Sequence, residues 1–193
     1  MRVVSGIAGG IPLIAPKTDL RPTMDRVKGA IFDSLGEAIV GARVLDLFSG
    51  TGSLGIEALS RGAVSAVLVE KDALAVEAIR RNLAKTRLQG ATIYTLDIFS
   101  FLHRLAAPGA YDFIIADPPY AKAKGERDFG VELLSEPALA QALAPEGCFI
   151  LEKLPGARLP QAPGLEFVRE RRYGATAVAY FRRLDFVGIE AAS

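Results

Sequence analysis

From residue 43 onward, short apolar runs alternate with stretches of helical periodicity, and no other feature restricts the possible fold as much. Arg43-Val44-Leu45-Asp46-Leu47-Phe48 reads as a buried strand, followed by Gly50-Thr51-Gly52 and a helix over 53–61. A second strand covers 64–70. Asp72 then suits the cap of a helix running towards Arg87, with Leu74, Ala78, Ile79 and Leu83 as its inward stripe. A third strand over 91–96 ends at Asp97, a short helix covers 99–105, and a fourth strand, Tyr111–Ala116, ends at Asp117. A helix over 131–143 leads to a strand over 147–153. Strands alternating with helices imply right-handed crossovers, so the expected fold is α/β: a mostly parallel, seven-stranded sheet covered on both faces. After Pro163 the rhythm changes to two strands, 165–173 and 176–184, joined through Gly174, which predicts an antiparallel C-terminal hairpin.

A chain of 193 residues suits one main unit, read as 43–193, with a hairpin-and-helix extension over 1–42. In the extension, Met24, Val27, Ile31 and Leu35 form one helical stripe that is expected to pack on the main unit. The apolar beginning lacks the form of a signal peptide, because Gly6, Gly9, Gly10 and Pro12 interrupt it. No later run approaches the length of a membrane span. The single cysteine, Cys148, excludes an internal disulfide and a Cys-rich zinc site, and its apolar neighbours make it a core residue. The one histidine, His103, reads as a surface residue. These features predict a cytoplasmic protein with no metal and no membrane partner.

Net charge is only +1, but it is unevenly spread. Residues 1–28 carry five basic and two acidic side chains, residues 152–183 seven and three, and residues 44–120 seven and eight. Basic ends lying on one side of the molecule would suit contact with phosphates, although charge runs are as often plain solvated faces.

Gly50-Thr51-Gly52-Ser53-Leu54-Gly55 fits G-x-G-x-x-G, and Glu70 follows at the spacing of a ribose-binding acid. Alone, the pattern suits a dinucleotide equally well. Asp46 separates the readings: a carboxylate there is awkward beside a pyrophosphate but suits the ammonium and sulfonium of S-adenosylmethionine. Asp97 is placed to accept a bond from an adenine amino group, or merely to cap the next helix. The expected cofactor site is Asp46, Phe48, Gly50, Thr51, Gly52, Glu70, Lys71, Asp97, Ile98 and Asp117.

Asp117-Pro118-Pro119-Tyr120 is the expected reaction centre, with Asp117, Pro118 and Tyr120 as its catalytic residues. Two prolines fix the backbone, so its carbonyls point in set directions. An amino nitrogen conjugated to a base ring is a poor nucleophile. Hydrogen bonds from its N–H groups to Asp117 and to the Pro118 carbonyl would localise its lone pair, while Tyr120 stacks on the base. This points to methylation of an amino nitrogen, in RNA, in DNA adenine or in a protein glutamine. A non-catalytic RNA-binding protein that keeps the fold is the alternative of another class.

The chain resembles the RsmD-like methyltransferases. The resemblance is carried by Leu20-Arg21-Pro22-Thr23-Met24-Asp25-Arg26-Val27-Lys28, the loop from Asp46 to Gly52 with the helix after it, Asp117 to Tyr120, and Tyr173-Gly174-Ala175-Thr176. It implies a Rossmann-like methyltransferase fold and S-adenosylmethionine as cofactor. The implied acceptor is the N2 amino group of a guanine in bacterial 16S ribosomal RNA, either free or within an assembling small subunit. Arg21, Thr23, Arg26 and Lys28, with Lys122 and Lys124 after the reaction centre, are the expected RNA contacts.

Overall fold

Runs rich in Val, Ile and Leu, each bounded by glycine or a capping acid, give seven strands in the computed structural model, which describes residues 1–15, 25–121 and 125–184. In chain order the elements are α1 (Asp25–Leu35), β1 (Arg43–Leu47), α2 (Ser53–Ser60), β2 (Ser65–Glu70), α3 (Ala73–Thr86), β3 (Ala91–Thr95) and α4 (Ile98–Arg104). There follow β4 (Tyr111–Ala116), α5 (Phe129–Leu134), α6 (Pro137–Ala142), β5 (Leu143–Lys153), β6 (Leu165–Tyr173) and β7 (Thr176–Arg183). They form one sheet in the order β3-β2-β1-β4-β5-β7-β6. The first five pair in parallel; β7 runs antiparallel to both β5 and β6. The strand order reverses between β1 and β4, and a crevice beyond the carboxyl ends of such a pair is where open α/β sheets bind ligands.

Alternate residues of the central strands face opposite ways. Leu45, Leu47, Ile114, Ala116, Phe149 and Leu151 pack with Phe101 and Leu102 of α4 and with Leu133, Leu134 and Leu139 of α5 and α6. Val44, Ile115, Ile150, Val178 and Tyr180 face Val27, Ile31 and Phe32 of α1 and Leu54 and Ala58 of α2. Each fully buried side chain of this size contributes about 1.5–3 kcal/mol from removal of apolar area. The stripe on α1 thus packs as expected through Val27 and Ile31, with Leu35 partly buried; Met24 lies outside the described residues.

The structure corrects three local expectations. The helix over 131–143 is two short helices, because Pro137 cannot sit inside a helix and instead opens α6, capped by the Glu136 carboxylate on the Ala138 N–H. β5 begins at Leu143, with a register shift before Cys148 and Glu146 at φ 61. Leu74 is exposed; the buried face of α3 is Ala75, Val76, Ala78, Ile79, Asn82 and Thr86. Asp72 caps α3 as predicted, accepting from the Leu74 N–H.

The beginning of the chain is a hairpin-like loop with one bridge, Arg2 to Pro12. It docks on α2 by polar contacts. Both oxygens of the buried Glu57 carboxylate accept backbone N–H groups, from Val4 and Ser5, at 2.7 and 3.0 Å. Among the described residues, no helix is long and apolar enough to cross a membrane.

Candidate active site

The loop between β1 and α2 is shaped by residues with positive φ. Phe48 at φ 59, Gly50 at 54 and Gly52 at 76 turn the chain sharply at the strand's end. A non-glycine residue there is uncommon and marks strain held by the surroundings. The glycines divide the work. A side chain on Gly50 would meet nothing nearer than the Phe48 carbonyl oxygen at 3.9 Å, so its face is open towards the crevice. A Cβ on Gly55 would lie 2.9 Å from Leu68, so this glycine lets α2 press against the sheet.

Four acids expected in the site are brought to the carboxyl edge of the sheet, each in a different way. Asp46 is fully buried beneath the loop; its Oδ2 accepts the Gly55 N–H at 2.8 Å, while Oδ1 has no hydrogen-bond partner among the described residues. Burial pushes its carboxyl up to about 8, against the Gly55 hydrogen bond and reinforced by the charges of Asp117 and Glu70. Glu70 fastens the loop: Oε2 accepts from the Gly50 N–H at 2.9 Å and Oε1 from the Asp72 N–H at 2.8 Å. Each oxygen keeps a further lone pair for a ligand hydroxyl. Asp97 caps α4 through Oδ1, which accepts from the Phe99 and Ser100 N–H groups at 3.1 and 3.2 Å. Its capping role is therefore real, and its other oxygen makes no hydrogen bond among the described residues. Asp117 follows β4, whose Ile115 pairs with Asp46 in the parallel register.

In the Asp117–Tyr120 turn Pro118 is buried, Pro119 exposed, and Asp117 and Tyr120 half-buried. The Tyr120 hydroxyl donates to Glu152 Oε1 at 3.2 Å and lies 3.3 Å from the Thr176 hydroxyl, which itself donates to the same oxygen at 3.3 Å. Thr176 arrives there because Gly174, at φ 64, makes the two-residue turn between β6 and β7. The Tyr173-Gly174-Ala175-Thr176 pattern thus has a physical reason. Burial, and then the charge of Asp117, push the Glu152 carboxyl well above the usual carboxylate range.

Sequence reasoning missed Glu152, whose partners lie 32 and 24 residues away. It also missed an aromatic and cationic cluster built on Phe48. The Phe129 ring meets Phe48 edge-on at 5.2 Å, with the Arg127 guanidinium 4.5 Å and the Lys71 ammonium 6.0 Å from its centroid. Arg127 also stacks over Phe99 and pairs with Glu132. The sequence from 125 to 129 gives no sign of this cluster.

Lys28 is a correction. The sequence places it at an RNA surface, yet it is fully buried, donating to the Arg2 carbonyl at 2.6 Å and the Ser53 hydroxyl at 2.9 Å, with Glu57 3.6 Å away. Burial lowers its pKa and the Glu57 charge opposes that. Arg26, on the same helix, is exposed. Arg21, Thr23, Lys122 and Lys124 lie outside the described residues. Ile98 is buried at the start of α4, and the Thr51 carbonyl accepts from Asn82 Nδ2 at 3.0 Å. Cys148 lies on β5, partly buried, and burial pushes its thiol up to about 11, so it is no ready nucleophile. His103 is exposed and 3.0 Å from Glu136.

Comparison with known proteins agrees with this geometry. The family described as "Conserved hypothetical protein 95" matches residues 1–182. YlbH of Bacillus subtilis (strain 168) is 37% identical over 187 residues, covering 95% of this chain and 99% of its own. Ribosomal RNA small subunit methyltransferase D of Escherichia coli (strain K12) is 32% identical over 185 residues, covering 95% and 90%. A 16S rRNA N2 methyltransferase of Thermus thermophilus, RsmC, solved with AdoMet and guanosine, superposes with a TM-score of 0.69 at 24% identity. It covers 87% of this chain and 44% of its own, a likeness of fold. With a family model matched over residues 1–182 and relatives matched along almost its whole length, the chain belongs to the RsmD family.

Proposed function

We propose that this chain methylates the exocyclic N2 amino group of a guanine in small-subunit ribosomal RNA, with S-adenosylmethionine as the methyl donor. The observation that supports this most is the meeting of Asp46, Glu70 and Asp117 beneath and beside an open Gly50 at the switch point. The residues fit the cofactor. Asp46 has an unsatisfied buried oxygen, and neither Asp46 nor Glu70 is ion-paired among the described residues. A cationic ligand suits this charge; a pyrophosphate does not.

When bound, S-adenosylmethionine supplies a methyl group activated by its sulfonium. The chain supplies position and charge. Glu70 would take the ribose hydroxyls, the second oxygen of Asp97 the adenine amino group, and Phe48, Lys71 and Ile98 the ring's surroundings. Asp46, buried below the loop, would act through its charge once a cationic ligand favours its ionised form. Asp117 and the Pro118 carbonyl accept the N–H groups of the acceptor amine, localising its lone pair, and a carboxylate oxygen of Asp117 receives the proton released on methylation. Tyr120 offers its ring for stacking. A paired base has to be extruded to reach this turn. Arg26 is placed for phosphate contact, and the proposal extends to Arg21, Thr23, Lys122 and Lys124.

The test is to incubate the protein with labelled cofactor and either unmodified ribosomal RNA or small subunits, then map methylated nucleotides by mass spectrometry. N2-methylguanine at a defined position is expected. Methyl transfer only to DNA adenine or to a protein glutamine overturns the acceptor assignment, and no transfer to any of them overturns the activity.

A further inference from the structure

Glu152 lies one residue beyond Leu151, which pairs with Ala116 in the parallel register of β5 and β4. Its place is therefore beside Asp117. Only 7% of it is exposed, and no cation is ion-paired with it among the described residues. Its neighbour Lys153 is engaged elsewhere, 2.7 Å from Glu170. Oε1 collects the hydroxyls of Tyr120 and Thr176, and Oε2 is buried without a partner among the described residues. Two carboxylates side by side, one of them buried and without a counter-ion, do not both ionise readily; one holds its proton. Asp117 is the more exposed of the two, so Glu152 is the one that stays neutral.

We propose that Glu152 is a positioning residue for methyl transfer: as a neutral acid it anchors the Tyr120 ring through the Tyr120–Thr176–Glu152 triangle and leaves Asp117 as the only ionised acid of the pair. The inference rests on the methyltransferase reading. A neutral Glu152 accepts the two hydroxyls through its carbonyl oxygen, Oε1, and keeps its own proton on Oε2. Ionising it puts a second negative charge beside Asp117 and raises the latter's proton affinity, so the basicity of Asp117 then varies with the state of Glu152. The titratable groups facing Glu152 among the described residues are Asp117 and Tyr120. Burial raises the Tyr120 hydroxyl far out of the working range, so it stays protonated as a donor to Glu152.

Glu152→Gln copies the neutral acid, with its amide oxygen accepting the same hydroxyls. Methyl transfer to RNA is measured against pH for the wild type, Glu152→Gln, Glu152→Ala and Thr176→Val, with cofactor affinity by calorimetry. Glu152→Gln is expected to keep kcat within about threefold at neutral pH and to lose whatever pH dependence the ionisation of Glu152 gives the wild type. Glu152→Ala is expected to lose about tenfold or more in kcat with little change in cofactor affinity, and Thr176→Val an intermediate amount. Equal loss in Glu152→Gln and Glu152→Ala, or an unchanged kcat in Glu152→Ala, overturns the proposal. A second readout needs no RNA: ring-labelled tyrosine spectra, with Tyr120 among the five tyrosines identified by Tyr120→Phe. The Tyr120 signal should move in Glu152→Ala and stay in Glu152→Gln. If it stays in both, the anchoring is refuted, whereas a wild type without transfer to RNA refutes only the function.

Discussion

Single side chains at the carboxyl edge of the sheet are held at a cost in stability that the proposed ligand would explain. Asp46 shows this most clearly. Its carboxyl titrates at about 8 when folded, above its usual value. Such a group leaves stability intact at low pH, where it is protonated in both states. Stability is then lost progressively as pH rises towards the folded value, because the unfolded chain ionises first. Asp46→Asn keeps an oxygen for the Gly55 N–H and removes the titration. The ligand-free variant should therefore melt a few degrees or more higher than the wild type at pH 8, the gap narrowing by pH 5 and closing only near pH 4, in thermal scans. Its affinity for S-adenosylmethionine should fall. Asp117→Ala belongs to the same scale but a different step. Methyl transfer should drop by about 10²-fold or more while calorimetry finds cofactor binding largely kept; an unimpaired rate removes Asp117 from the chemistry. Both aspartates were legible in the sequence, since each sits next to a strand end and a fixed backbone. Glu152 was not, because a Glu-Lys pair at the end of an apolar strand reads as its solvent exit, and only the tertiary neighbours Tyr120 and Thr176 give it a task.

Helix α2 joins the site to the beginning of the chain. Its face towards the sheet is set by Gly55, and its other polar side holds Glu57, which collects Val4, Ser5, Arg61 and Lys28. Glu57→Ala leaves the Lys28 ammonium buried without its partner, a change that costs about 3–5 kcal/mol. Urea denaturation should read this loss, and hydrogen exchange should show the Val4 and Ser5 amides released before global unfolding; unchanged protection at both would exclude the docking role. The strand and helix order that frames α2 was legible because periods of two and 3.6 alternate cleanly. The burial of Lys28 was not. On a helix with an apolar stripe, lysine reads as the flank, and its partners Ser53 and Glu57 belong to an element beyond the next strand. The break between α5 and α6 has its signal in Pro137, which the apolar periodicity on either side of it masks.

Across the whole molecule the formal charge nearly cancels, yet the outer strand does not share that balance. On β6, Glu166 pairs with Arg182 and Glu170 with Lys153, whereas Arg169, Arg171 and Arg172 have no acidic partner among the described residues. Arg169 and Arg171 pair with Tyr180 and Val178 in the register, on the sheet face that also carries Ile150 and Thr176, the partner of Tyr120. For an RNA acceptor, replacing both by alanine should weaken binding across sequences and flatten the salt dependence, by roughly one unit of log–log slope for each phosphate no longer neutralised. Filter binding at several salt concentrations measures it, and an unchanged slope excludes this edge from the RNA path.

The strand order has a consequence for biosynthesis. β7 is the last described strand to be made, but it lies inside the sheet, between β5 and β6. While the ribosome is still adding the preceding residues, the outer edge of β5 has no neighbour, and Tyr120 has no Thr176 to meet. Five strands can assemble in order behind the moving chain; the sixth must wait for the seventh to slide in ahead of it. The surroundings of Tyr120 are therefore among the last regions of the nascent protein to take shape, and a chain released before Thr176 ends with an open strand edge and an unanchored tyrosine.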